Sequence, residues 1–173
     1  MTARTIYLIS SRNAEAQRAH FAIFVPAEGA PDKGTLIEAV GAPMAGYVLN
    51  FERNFSPTDD SLENYDIFPI GEVDPVNIID DTTGVKSADA EPRGNIEVVA
   101  SQVPTPGISE NFLAPVNDSI QTANKRDQEW TMDYIRHLVG RRLIGSEAIQ
   151  IVQSKRDPPT HGLGFQPTLR RSG

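Results

Sequence analysis

RAHFAIFVP (residues 18–26), followed by GTLIEAVG (residues 34–41), decides the fold. The first run is β-branched and aromatic and is stopped by a proline. The second is bracketed by glycines. Both read as strands. The link between them is short and turn-rich, so they form an antiparallel pair. Alternation along the first puts His20, Ala22 and Phe24 on one face and Phe21, Ile23 and Val25 on the other. Both faces are apolar enough to be largely buried.

Working outward, RTIYLIS (4–10), GYVLNFERNF (46–55) and YDIFPIGEV (65–73) complete about five strands. In the fourth, Tyr47, Leu49 and Phe51 face one way and Val48, Asn50 and Glu52 the other. Pro69 pushes the fifth to an edge position. An antiparallel meander is the simplest arrangement. Residues 74–94 read as a polar surface loop, and 95–102 fit a strand or a helix equally well. The long connection that follows lacks periodicity, and loops of that length are often functional; Phe112 and Leu113 in it are placed to fold over a pocket.

KRDQEWTMDYIRHLVG (125–140) predicts an amphipathic helix, with Trp130, Tyr134, Ile135, Leu138 and Val139 on one stripe. The same stripe runs back to Asp127, a carboxylate at the helix start. SEAIQIVQ (146–153) predicts a second helix with Ser146 as N-cap. The architecture expected is α+β: one antiparallel sheet with two C-terminal helices packed on one face. Residues 1–155 form a single domain. Residues 156–173 are rich in proline and glycine and read as a disordered or surface-draped tail.

Composition excludes several functions. The chain has 173 residues, a formal net charge of −7 and no cysteine. Thiolate catalysis, disulfides and Cys-ligated zinc are ruled out. No basic cluster supplies a nucleic-acid face. No stretch approaches a membrane span, and an intracellular, cytoplasmic protein is the default. Phosphate-loop, dinucleotide and nucleophile-elbow patterns are absent, so no cofactor is expected. His137 and His161 make no metal spacing with any acid, and no metal site is expected.

Three residues carry candidate chemistry, and each has an ordinary structural explanation. His20 is either a hydrogen-bonded core histidine or a tuned acid–base group. Glu38, in mid-strand, is either solvated on an edge strand or paired with His20 across a hairpin. Asp127 is either the N3 acid of a helix capped by Asn124, offsetting the helix dipole, or a catalytic carboxylate.

RTIYLI, AHFAIFVP, GTLIEAVG and NFERNF together resemble a group of small fungal proteins of mostly unassigned function. In that group a His–aromatic strand precedes a Gly-Thr strand and an Arg-Asn-aromatic turn. A helix opening with Asn-Cys-Gln and a tryptophan comes later. That order is similar to the circularly permuted papain-like fold of the lecithin–retinol acyltransferase type. The resemblance spans residues 4–73 and 96–140. His20 matches the His strand, Arg53 and Asn54 the turn, and Gln128 and Trp130 the helix start. Glu38 falls at a position expected to be polar. Asp127 stands where the cysteine belongs, so Cys–His acyl transfer is lost.

Two functions follow. One is a cofactor-independent enzyme of fungal secondary metabolism. His20, Asp127 and Glu38 would assist isomerisation, dehydration, cyclisation or a pericyclic step on a mostly apolar small molecule. Phe24, Tyr47, Phe51, Phe112 and Trp130 are then candidate pocket walls, although each also suits ordinary core. The other is a non-catalytic binding or scaffold module.

Overall fold

The computed structural model describes residues 2–12, 18–42, 44–58, 64–107 and 126–157. The expected five strands form as β1 (Arg4–Ser11), β2 (His20–Pro26), β3 (Gly34–Ala42), β4 (Gly46–Phe55) and β5 (Tyr65–Val73). A sixth, β6 (Ser87–Asp89), lies inside the stretch read as loop. Every pairing is antiparallel and the order is β5-β1-β2-β3-β4-β6. The meander therefore holds only from β1 to β4. The fifth strand crosses back to pair with β1, because β6 takes the free side of β4. As expected from Pro69, β5 is an edge strand. A bulge at Ile70 accompanies the proline, since Ile6 opposes Gly71 while Tyr7 opposes Pro69.

The ambiguous segment is helix α1 (Asn95–Ser101); α2 (Asp127–Gly140) and α3 (Glu147–Ser154) follow. Ser146 is the N-cap residue of α3, although its side chain makes no capping bond. Helix α2 lies over β2 and β3, α3 over β5, and α1 against α2. All three bury into one core with Leu8, Phe21, Ile23, Ile37 and Phe51 of the sheet. Within α2, Trp130 and Tyr134 are one turn apart and stack with ring centroids 5.4 Å apart. Their polar tips are satisfied by backbone: Trp130 Nε1 donates to Val103 O at 3.1 Å, and Tyr134 Oη to Ile96 O at 2.8 Å. A smaller cluster of Ile9, Ala22, Phe24, Leu36 and Phe55 fills the opposite face of the sheet.

The Arg-Asn turn earns its residues through a bulge. Gly34 opposes Phe55 but Leu36 opposes Glu52, so β4 carries one extra residue. Asn54 absorbs it with φ of 57°, a left-handed conformation that asparagine tolerates. Its Nδ2 donates to Val85 O at 2.8 Å. The bulge flips Phe55 to the outer face, where it meets Phe24 edge-on at 6.1 Å. Arg53 stays on the inner face, fully buried. Its guanidinium donates to both oxygens of Glu97 at 3.0 and 2.8 Å, to Asp89 and to Glu91 O. Gly34 is needed for a different reason: a Cβ there would collide with the Val25 carbonyl.

Removing one member of a buried ion pair strands the other charge. Arg53→Met should therefore cost about 3 kcal/mol in urea unfolding, with the denaturant slope unchanged. The double variant Arg53→Met, Glu97→Met should recover part of that loss. A single-variant cost below about 1 kcal/mol contradicts this account of the turn.

Candidate functional site

The site forms where two strands part. β2 and β3 pair from Pro26–Gly34 to Ile23–Ile37. Beyond that point β2 stays on β1 down to His20, while β3 stays on β4 out to Ala42. The first turn of α2 wedges into the opening. Asp127 Oδ2 accepts the Phe21 N–H at 2.9 Å, a backbone donor that has lost its strand partner.

The same oxygen lies 3.0 Å from His20 Nδ1. On the other side of the ring, His20 Nε2 lies 2.8 Å from Glu38 Oε1. Asn50, directly across from Glu38 on β4, donates to Glu38 Oε2 at 2.9 Å. The expected trio is thus one linear array, Glu38–His20–Asp127, built from β3, β2 and α2. The hairpin register explains the first contact, since His20 and Glu38 occupy the same face of adjacent strands. The His20 side chain is 38% exposed, Asp127 15% and Glu38 7%. The two carboxylates grip opposite edges of the ring, so the trio shares no common centre for an ion. Among the described residues no cluster of three acid or histidine side chains could hold a metal.

Burial pushes the His20 imidazole towards neutrality. Hydrogen bonds to Asp127 and Glu38, together with their charges, outweigh it and push the pKa up to about 10. The ring is therefore an imidazolium throughout the neutral range. Tyr47 is raised above its ordinary value, first by burial and then by the negative charge of Asp127.

The helix start departs from expectation. Asp127 is the first helical residue, with Arg126 as N-cap. The N3 role belongs to Glu129, whose Oε1 accepts the Arg126 N–H at 3.0 Å. Asn124, the cap expected from sequence, lies outside the described residues. Asp127 is consequently released from capping and points at β2. Glu129, fully buried, also receives Arg18 and Arg156, each at 2.7 Å. Sequence reading left these ion pairs unnoticed, along with Asn50 as the support of Glu38. The alternation along β4 put Asn50 on the Glu52 face, but only the strand register brings it opposite Glu38.

The candidate walls separate. Phe51 and Trp130 are fully buried in the helix-side core, where packing leaves no free surface. Phe24 belongs to the outer cluster and borders a cleft of about 510 Å³ with Arg4, Tyr7, Pro26, Glu28 and Ile67. That cleft contains neither His20 nor Asp127. Tyr47 is half-buried near Asp127, and its N–H donates to Pro106 O at 2.9 Å. Phe112 and His161 lie outside the described residues. His137 is exposed, with Nδ1 2.7 Å from Asp133 O.

The raised pKa has a consequence for stability. A histidine with a folded value near 10 and an unfolded value near 6.5 stabilises the fold fully below pH 6.5. That contribution drains away as pH rises from 6.5 to 10. Chemical denaturation of wild type and His20→Gln across this range should show the stability gap narrowing with pH. A gap that stays constant or widens rules out the imidazolium assignment.

No curated protein and no solved structure matches the chain. Residues 6–145, which span the whole array and its supporting strands, match a family of unknown function (DUF6540), and the chain belongs to that family.

Proposed function

We propose that this protein is a cofactor-independent enzyme that works on a mostly apolar small molecule at the Glu38–His20–Asp127 array, in secondary metabolism. One observation carries the reading: a partly exposed imidazolium lies against a carboxylate that keeps one oxygen uncommitted among the described residues. Asp127 Oδ2 takes both Phe21 N–H and His20, while Oδ1 accepts no hydrogen bond from the described residues. Oδ1 is then the base that removes a proton from carbon next to a carbonyl. The positive charge of the adjacent imidazolium stabilises the enolate that results. Returning the proton to a different carbon is an isomerisation. Expelling a β-hydroxyl as water, protonated by the proton that Asp127 has just taken, is a dehydration. Glu38 and Asn50 keep the imidazolium charged and oriented. Intramolecular cyclisation needs the same base and the same positive charge, held near a folded substrate.

A second reading has its own observation. Both ring nitrogens of His20 are already occupied, and the array cross-links β2, β3 and α2. In that case the array is a clamp in a binding or scaffold module. No described helix is long and apolar enough to cross a membrane, so nothing in these helices suggests a membrane span.

Extract from a producing strain that lacks the gene, where substrate accumulates, separates the readings. Purified wild type in deuterated buffer without added cofactor should consume one accumulated compound, with deuterium entering carbon in an isomerisation and water leaving in a dehydration. Asp127→Asn keeps an acceptor for Phe21 N–H and removes the base. It should lower turnover by about 10²-fold or more with the fold intact. Undiminished turnover in Asp127→Asn would sink the proton-transfer role.

A further inference from the structure

Where β3 leaves β2, three consecutive residues leading into β2 meet three consecutive residues of α2 in antiparallel order. Arg18 pairs with Glu129, Ala19 with Gln128, and His20 with Asp127. The outer rungs are ion pairs. The middle rung is made with backbone: Gln128 Nε2 donates to Ala19 O at 2.8 Å. It needs a second strut, because the Ala19 N–H also has no strand partner. That strut is Asp157, beyond the end of α3. Its Oδ2 accepts the Ala19 N–H at 2.7 Å and Gln128 Nε2 at 3.0 Å. Its own N–H donates to Gln128 Oε1 at 3.1 Å, and Oδ1 accepts Arg12 Nη2 at 3.0 Å. Arg156, its neighbour, reaches the outer rung at Glu129. Both backbone groups of the residue before His20 therefore end on the Gln128–Asp157 pair.

We infer that Asp157, acting with Gln128, is a positioning residue for His20, and that Arg156 and Asp157, just after α3, belong to the site. Asp157 does not touch the ring. It acts by fixing the backbone on the N-terminal side of His20 while Asp127 fixes Phe21 on the other side. A ring held at both flanks keeps its contacts to Asp127 and Glu38. A ring whose strand end swings spends less time between them. The residues from 156 onward read as tail from sequence, since the prolines after Asp157 suggest no structure. The polar pair Arg156–Asp157 at its head is instead drawn in by unpaired backbone and by buried Glu129.

The kinetic arm of the test rests on the proposed active-site reading; the titration arm does not. The His20 ring titration is followed by NMR in the full chain, against the charges that face it: Asp127 from α2 and Glu38 from β3, with Glu52 beside Glu38. Asp157→Ala should lower the His20 pKa by about one unit, because both carboxylate contacts weaken. Val152→Ala, a cavity in α3 away from the rungs, controls for lost stability and should leave the titration in place. Should Asp157→Ala fail to fold, Arg12→Ala loosens Asp157 without removing it and should lower the pKa by a smaller amount. Turnover in Asp157→Ala should fall about tenfold in kcat with KM little changed. A His20 titration identical to wild type in folded Asp157→Ala, or in Arg12→Ala where that replaces it, overturns the inference. So does an equal shift in Val152→Ala. A shifted titration with unchanged turnover upholds the positioning and removes the active-site reading instead.

Discussion

A single carboxylate does the work of a missing strand. Asp127 Oδ2 binds the Phe21 N–H at the point where β3 has turned away from β2. An unsatisfied backbone donor at that depth would be costly, so the divergence of the two strands depends on the helix reaching in. Everything else at the site follows from that constraint. The first turn of α2 must enter the sheet, its first residue must be a short acceptor, and the histidine before Phe21 must lie beside it. The same oxygen that replaces a strand carbonyl therefore also holds the imidazole.

Placing a helix N-terminus there brings polar groups into the core, and their neutralisation shapes the surroundings. Gln128 and Glu129 are both fully buried. Glu129 is offset by two guanidinium groups and caps the helix, which leaves Asp127 free of that duty. The local exchange is between Asp127 and Glu129: one acid serves the helix and the other serves the strand. The charge on His20 is the outcome of a similar contest, in which two carboxylates overcome burial. The imidazolium is thus both a cross-link among three elements and a proton held at the protein surface.

Much of this was legible before folding was considered. β-Branched and aromatic runs bounded by proline and glycine located all five long strands, and the stripe through Trp130 and Tyr134 located α2. The face shared by His20, Ala22 and Phe24 is the observed one, and of the two places open to Glu38 the one beside His20 is observed. What escaped notice depends on non-local geometry. β6 has three residues and no apolar pattern, and it exists because Arg53 reaches Asp89 and Glu91. The crossing of β5 to β1 reflects which edge is free. Phe51 and Trp130 were credible walls because aromatic residues suit pockets and cores alike; the packing of α2 against the sheet makes them core. Asp157 could not have been found from its neighbours, since its partners are Arg12, Ala19 and Gln128. The N-cap moved from Asn124 to Arg126 because Glu129, with its own buried partners, outcompetes Asp127 for the capping role.

The central claim is that Asp127 stands in for a strand at Phe21. Amide hydrogen exchange at that one residue tests it most directly. If the carboxylate holds the N–H, Phe21 exchanges as slowly as Ile23, deep in the paired part of β2, since both open only with the sheet. Exchange at Phe21 on the timescale of surface loops, with Ile23 still protected, would show that the helix start does not close the gap, and the account of the site would fail with it.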